Sequence, residues 1–439
     1  MQTKYLIVGN SAGGIGAAEA IRQVDKAGTL TIVSEEPYPA YSRPLISKYL
    51  AGERTFEGIL FRPLDFYDQN NILFLPSKKV THLELDHRTA WLEDSEQITW
   101  EKLLLAVGGK PIFPEMKGSD KRGVFTFTNL DDAKAVDRFL DKARKAVVIG
   151  GGLIGISLAE ALTKRGVDVI VVEMKERILN TILDQQASLM AEEVLKQAGV
   201  EIITSHTVVK ISGRGTVKEV ILDNGDTILC DLVVVAIGVS PRLELALDAK
   251  LEINRGIVVN HHMATNHPNV YACGDVAEAY DFVYGENRLT PIWPNAYIGG
   301  MIAGYNMVGI PTKYPGGTAM NSLNYFGIDI TSAGMPTAPN DGYEVISRQE
   351  NNTYQKVILK DNLVMGMISV GNIEKSGIIF GLMKDGVNVE SFKQSLLADD
   401  FGLAFFPRAL WQEWLETSPG LLLRSALPIQ TEEETFAGE

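Results

Sequence analysis

Two turns in this chain, Gly9-Asn10-Ser11-Ala12-Gly13-Gly14 and Gly150-Gly151-Gly152-Leu153-Ile154-Gly155, have the residue types and spacing to hold a pyrophosphate. The second is a full G-x-G-x-x-G. The first is G-x-S-x-x-G, with Ser11 at the middle glycine position. Each opens a stretch with helical apolar periodicity, so free backbone N–H groups and the positive end of the helix dipole would face an anion. Small residues let a diphosphate approach those donors. An acid follows each turn at a strand end, Glu35 and Glu173, where a carboxylate can accept hydrogen bonds from a ribose diol. Taken alone, the first turn could also be the strand-to-helix corner of an ordinary α/β domain.

The elements around the turns repeat. Tyr5 to Val8 reads as a strand, Ile15, Ala18, Ile21 and Val24 as one helix face, and Leu30 to Val33 as a second strand. Ala146 to Ile149, a helix bearing Leu158, Ala161 and Leu162, and Val167 to Val172 repeat that order. Both halves then make an antiparallel excursion. Asn71 to Val107 contains apolar strands, among them Ile72 to Leu75 and Val80 to Leu85, and the second half has a hairpin-like region with a turn at Asp223-Asn224-Gly225-Asp226. Both close on an apolar strand ending in Ala-x-Gly, through Ala106 and Gly108 and through Ala236 and Gly238. Lys110 to Arg122 reads as a linker, and Asp184 to Gln197 as a helix stopped by Gly199. A strand at Val270 to Ala272 precedes Gly274 and Asp275, and a helix is expected to start near Ala296. From about Asn321 the pattern changes to strands at Leu323 to Ile330, Tyr354 to Leu359 and Val364 to Val370, with a helix from Ser376 to Lys384.

Composition bounds the function. The 439 residues, 45% hydrophobic and 22% charged, suit two or three soluble domains. A net charge of −14 argues against nucleic acid or an anionic membrane as the main partner. The first strand starts almost at Met1, so no leader peptide is expected, and no apolar run reaches the roughly 20 residues of a membrane span. A cytoplasmic location is the default. Two separated cysteines, Cys230 and Cys273, cannot build a cluster or a Cys-rich zinc site, and both read as small buried residues. The six histidines, His261 and His262 among them, form no ligand pattern, so no metal is expected. Lys48 on its own reads as a solvated helix lysine. The acidic segment from about Thr431 reads as disordered.

Together GNSAGG, YSRPLISK at Tyr41 to Lys48, LLLAVGG, VVIGGGLIG, VVVAIGVSP and VYACGD carry a resemblance reaching to about Pro407. The chain resembles the two-dinucleotide-binding flavoproteins of the pyridine nucleotide–disulfide oxidoreductase superfamily. Within it, the chain is most like the rubredoxin/ferredoxin reductase and nitrite-reductase flavin-domain branch. The implied fold is α/β, with two Rossmann-like three-layer dinucleotide-binding domains and a C-terminal α+β domain. Its boundaries would be 1–112 and 244–320 for a divided FAD-binding domain and 113–243 for an NAD(P)H-binding domain. An interface domain at 321–410 and a tail at 411–439 would follow.

The resemblance places FAD on Gly9, Ser11, Ala12 and Gly14. Glu35 would hold its adenosine ribose and Asp275, beside Gly274, its ribityl–phosphate region. Arg43, Pro44, Val80, Ala106, Gly108, Trp293 and Ala296 complete the implied flavin site. NAD(H) would lie on Gly150, Gly152, Leu153, Ile154 and Gly155, with Gly238 nearby. Glu173 favours NADH, since a 2′-phosphate beside a carboxylate is repelled, although Lys175 and Arg177 leave room for NADPH. Lys48 is implied as the catalytic residue, a cation beside the redox-active edge of the flavin. Relatives commonly pair it with a glutamate two positions after the last glycine of the second turn, and here that position is Ser157. The segment Ala40 to Lys48 also lacks the cysteine of the disulfide reductases, and Ser42 cannot replace a thiolate.

The implied activity is FAD-dependent NAD(P)H:acceptor oxidoreduction, by hydride transfer between nicotinamide and flavin and electron exchange with a rubredoxin- or ferredoxin-type carrier. The variants GNSAGG and PIWPNAY also resemble flavoprotein subunits of iron–sulfur complexes that oxidise aldehydes, oxo-acids or carbon monoxide. An NADH oxidase and a non-catalytic NADH-binding regulatory protein are the other readings. The partner would be an electron carrier or an iron–sulfur subunit, and the C-terminal domain would serve a homodimer or hetero-oligomer.

Overall fold

The computed structural model of the protein describes residues 1–406. The tail expected at 411–439, its acidic end and the last residues of the implied interface domain lie outside the described residues.

The first sheet runs in the order Ile72–Leu75, Leu30–Val33, Gln2–Val8, Gln97–Leu105, Thr89–Leu92, Val80–Glu84. The strand Gln97–Leu105 turns the sheet from one mode to the other. Its start pairs antiparallel with Thr89–Leu92 and its end parallel with Gln2–Val8. On its other side lies Val270–Ala272, parallel to Leu103, Leu104 and Leu105. A segment far downstream thus completes the sheet begun at Gln2. Buried Leu, Ile and Val dominate these strands, the composition expected where helices cover both faces.

The second sheet has the same plan, in the order Glu201–Thr204, Asp168–Glu173, Lys145–Ile149, Leu232–Val235, Val124–Thr126, all parallel. Its antiparallel excursion, Val208–Ser212, Glu219–Leu222 and Thr227–Leu229, forms a separate three-stranded sheet. In both units the strand order reverses beside the strand that leads into the glycine turn. That is the crevice where open α/β sheets take their ligands.

Three expectations are corrected. The stretch Lys110 to Arg122 is not a free linker. Gly109–Pro111 pairs antiparallel with Val239–Pro241, so the two crossings between the units run side by side, tied by hydrogen bonds. The run Leu323 to Ile330 is not one strand but the tip of a hairpin, Met320–Tyr325 with Ile328–Gly334. Phe326 (φ 49°) and Gly327 (φ 86°) reverse the chain there, between apolar residues that recur on both sides of the turn. The helix expected near Ala296 spans Trp293–Met307, with Pro294 in its first turn, where a missing N–H costs nothing.

The C-terminal sheet runs Met320–Tyr325, Ile328–Gly334, Leu363–Val370, Thr353–Lys360, Glu344–Glu350, entirely antiparallel, with the helix Ser376–Lys384 on one face. Away from the edge strand Glu344–Glu350, the other face is also covered. Ile330, Tyr354, Ile368 and Val370 join the same core cluster as the helix Leu153–Lys164. Among the described residues, no helix is long and apolar enough to cross a membrane.

Candidate dinucleotide sites

The two turns make the same close backbone approaches. A Cβ on Gly9 would lie 2.2 Å from the Ala106 carbonyl oxygen, and one on Gly150 2.5 Å from that of Ala236. Gly14 and Gly155 close the turns: a Cβ there would meet the Gly9 and Gly150 oxygens at 2.0 and 1.9 Å. These four glycines are needed so that strand, turn and helix can touch. Gly152 differs. No atom lies within 4 Å of where its Cβ would be. Its backbone is extended and it caps the helix Leu153–Lys164 without any side-chain hydrogen bond. Ser11 caps the helix Ala12–Val24 in the same way, extended and with its hydroxyl unused as a cap. In both turns, therefore, the N-terminal donors have no capping side chain where the pattern requires a phosphate, and at Gly152 the space beside the turn is open. The residues fit a dinucleotide at each turn.

Around the first turn the expected residues converge. The helix Trp293–Met307 packs on Ala12–Val24 so closely that a Cβ on Gly300 would lie 2.0 Å from the Gly13 carbonyl oxygen. This brings Ala296 against Gly13 and Gly274, and it seats the Cys273 sulfur beside Gly13. Asp275 faces Arg43. Burial pushes its carboxyl up, and the guanidinium opposes that. Arg43 is anchored by an ion pair with Glu36 and donates to the Thr128 carbonyl (3.2 Å). Pro44 fixes the short turn Arg43–Leu45. The Asn10 amide donates to the Tyr38 carbonyl (3.3 Å) and its oxygen accepts from the Tyr67 hydroxyl (2.8 Å), tying the first turn to this segment. Trp293 meets Phe61 edge-on at 5.0 Å and is half-buried at the mouth.

Glu35 and Val80 stand apart from this group. The Glu35 carboxylate is exposed and held by Arg242 (2.7 Å) and Lys79 (3.3 Å), and Val80 points into the core. The side chain of Val80 cannot touch a ligand, so only its backbone could. At the second turn Glu173 is buried and accepts from the backbone of Gly151 (2.7 Å) and Lys175 (2.8 Å). It therefore braces its own turn, while each oxygen retains a lone pair for a further donor. Gly108 and Gly238 follow the closing strands; no atom lies within 4 Å of where a Cβ on Gly108 would be, and one on Gly238 would meet Ile112 at 3.9 Å.

Both cysteines are buried, and burial pushes each thiol up to about 12, so neither is a thiolate near neutral pH. Among the described residues no cluster of His, Cys, Asp and Glu could hold a metal. His261 and His262 bind backbone oxygens at Tyr314 and Thr312.

Lys48 is not a free lysine. Its ammonium lies 3.3 Å from Glu53 and 3.5 Å from Glu160. The position that would carry a pairing glutamate, Ser157, meets the Tyr325 hydroxyl at 3.1 Å. Sequence reasoning missed Glu160, Tyr325, Arg242 and Asn10. For Glu160 there was a signal: it stands three residues after Ser157 on the same helix face.

The comparisons agree with this geometry. The family model "Pyridine nucleotide-disulphide oxidoreductase" matches residues 3–300, and "Rubredoxin NAD+ reductase C-terminal domain" matches 320–387. The chain is 32% identical to the NADH-dependent phenylglyoxylate dehydrogenase subunit epsilon of Aromatoleum evansii, over 94% of this chain and 98% of that one. It is 31% identical to the NADH-rubredoxin oxidoreductase of Clostridium acetobutylicum, over 86% and 94%. It spans about half the length of two other curated relatives, an assimilatory nitrate reductase electron transfer subunit and a nitrite reductase of Bacillus subtilis. Among solved structures, the putidaredoxin reductase in covalent complex with putidaredoxin is similar with a TM-score of 0.82 at 25% identity, covering 90% of this chain and 98% of that one.

Proposed function

The chain belongs to the pyridine nucleotide-disulphide oxidoreductase family, and from that premise we propose that it is an FAD-dependent NADH:acceptor oxidoreductase serving an electron-carrier protein. The observation that carries the reading is the pair of uncapped glycine turns at the reversal points of two like-built sheets. The division follows them: 1–112 with 244–320 for FAD, 113–243 for the nicotinamide, and 321 onward as an interface module.

FAD supplies the chemistry of accepting a hydride and passing electrons on singly. This chain's residues bind and orient. Gly9, Ser11, Ala12 and Gly14 present the N-terminal donors of the first helix to the FAD pyrophosphate, and Gly150, Gly152, Leu153, Ile154 and Gly155 do so for NADH. Glu35 accepts from the adenosine ribose of FAD, turning from its surface ion pairs. Glu173 accepts from that of NADH, its place secured by the Gly151 and Lys175 N–H groups. Arg43, Pro44, Ala106, Gly108, Gly274, Asp275, Trp293 and Ala296 line the flavin, with Val80 offering backbone only. Gly238 keeps the nicotinamide side clear. Lys48 places a cation at the junction of the two sites. With both thiols buried and protonated, no disulfide relay runs through this chain, so its electrons leave to an external acceptor.

A second reading makes the chain the flavin subunit of a larger iron–sulfur complex acting on an oxo-acid, aldehyde or carbon monoxide. What favours it is the end-to-end similarity to a phenylglyoxylate dehydrogenase subunit. In either case the protein works in the cytoplasm.

The test is direct. Purified protein should be yellow and should bleach when NADH is added without oxygen. Retained FAD that NADH fails to bleach would refute the reading and favour a binding protein. Isolation at native abundance separates the alternatives, since iron–sulfur subunits in fixed ratio would establish the complex.

A further inference from the structure

Lys48 belongs to a closed ring of four charges. Its ammonium lies 3.3 Å from Glu53 and 3.5 Å from Glu160, while Lys164 reaches the other oxygens of the same two acids at 2.6 and 2.8 Å. Two lysines and two glutamates alternate, so each charge has two opposite neighbours. The ring joins three parts of the chain. Lys48 and Glu53 come from the short helix Ile46–Leu50 and the turn after it, and Glu160 and Lys164 from the helix that opens on the second glycine turn. The third part is the hairpin tip, where the Phe326 N–H donates to Glu160 (3.1 Å) and the Tyr325 hydroxyl donates to the Leu153 carbonyl (3.3 Å).

Glu160 is the fixed member. It is 4% exposed and bound by Lys164 and Phe326 through one oxygen, leaving the other to Lys48. Lys48 and Glu53 are about a third exposed, so the ammonium retains freedom of movement. Ser157 meanwhile is engaged by Tyr325.

We propose that Glu160 is a positioning residue for Lys48: from one helical turn beyond Ser157 it holds and aims the cation that the proposed flavin site uses. This rests on the proposed function. Its consequence is electrostatic. A cation close to the flavin favours the reduced form, and a fixed carboxylate that draws the ammonium back weakens that effect, so Glu160 acts by where it puts Lys48. The Glu160 carboxylate thereby sets the flavin's potential through Lys48, and the hairpin tip that holds Glu160 ties that setting to the C-terminal module.

A double-mutant cycle on the FAD-loaded full chain tests it, read as the midpoint potential of the bound flavin. Glu160→Gln should shift the potential positive, Lys48→Met should shift it negative, and Glu160→Gln in the Lys48→Met background should leave it where Lys48→Met put it. The FAD-free melting temperature is recorded for every variant, because a purely structural role would move that and shift the potential alike with or without Lys48. An equal shift in both backgrounds, or no shift in either, overturns the proposal. Wild-type protein that binds FAD and bleaches with NADH keeps the underlying function intact whichever way the cycle falls. Wild-type protein that does neither loses the function first, and this inference with it.

Discussion

Under the proposed function, Glu173 carries a structural and a recognition task in one side chain. Its carboxylate accepts from the Gly151 and Lys175 N–H groups, and each oxygen retains a lone pair for a further donor. A hydrogen bond to a charged group is worth about 1.5–3 kcal/mol, so losing the ribose contacts should lower kcat/KM for NADH by roughly 10- to 100-fold. Glu173→Ala should therefore lose most of its efficiency with NADH and much less with NADPH, whose 2′-phosphate no longer meets a carboxylate. Steady-state kinetics with both coenzymes check this, and an unchanged NADH/NADPH ratio would remove Glu173 from recognition. At the same scale, Lys48 shows where sequence reading stops. Its type and its motif were legible, but its partner was not. The resemblance pointed to position 157, where this chain has a serine, and although Glu160 shares that helix face, it takes the fold to show that its carboxylate reaches Lys48 while Tyr325 engages Ser157.

The glycine turns are legible as elements because their chemistry is local. A turn in which backbone touches backbone admits only glycine at fixed positions, and both turns display that in residue types alone. What sequence could not show is which glycines the packing itself requires. The structure does. A Cβ on Gly155 would lie 1.9 Å from the Gly150 oxygen, whereas one on Gly152 meets nothing within 4 Å. Gly152→Ala should leave the melting temperature of the nucleotide-free protein unchanged, a cost within about 0.5 kcal/mol, while sharply weakening NADH binding. Gly155→Ala should lower the melting temperature as well. Differential scanning fluorimetry beside an NADH titration separates the two. The elements that were misread were misread for physical reasons. Phe326 adopts a left-handed conformation although it is a bulky apolar residue, and apolar residues recur on both sides of Gly327, so Leu323 to Ile330 looked continuous. Gly109–Pro111 is a strand only because Val239–Pro241 lies beside it, a pairing across more than a hundred residues. The strand Glu344–Glu350 sits at a sheet edge with polar residues on both faces, so it lacked the alternation that marks a half-buried strand.

Across the whole molecule, the arrangement that local pattern could not reveal is the docking of the C-terminal sheet on the second dinucleotide unit. One buried ion pair anchors it. Asp184 caps the helix Gln185–Gln197 by accepting from the Ala187 N–H (3.0 Å), and it also accepts from Lys356 (2.8 Å) and the Tyr354 hydroxyl (2.7 Å) on the C-terminal sheet. Burial pushes its carboxyl up, but the Lys356 ammonium and the N–H and O–H donors outweigh that and hold it below the usual carboxylate range. A depressed carboxylate contributes stability above its unfolded value of about 3.9 and loses it as pH falls through the folded value. Asp184→Asn keeps the helix cap, since asparagine caps as well as aspartate, but leaves Lys356 buried without its counter-charge. Breaking one side of such a pair costs roughly 3 kcal/mol, about a hundredfold in a local opening equilibrium. Hydrogen exchange at neutral pH should thus quicken by about that factor in Thr353–Lys360 while Lys145–Ile149 stays protected. The wild-type C-terminal sheet should lose its protection only as the pH drops toward the folded value of Asp184, and the variant should lack that transition. Equal protection of Thr353–Lys360 in the two proteins would mean that apolar contacts through Ile330, Ile368 and Val370 hold the module without help from the ion pair.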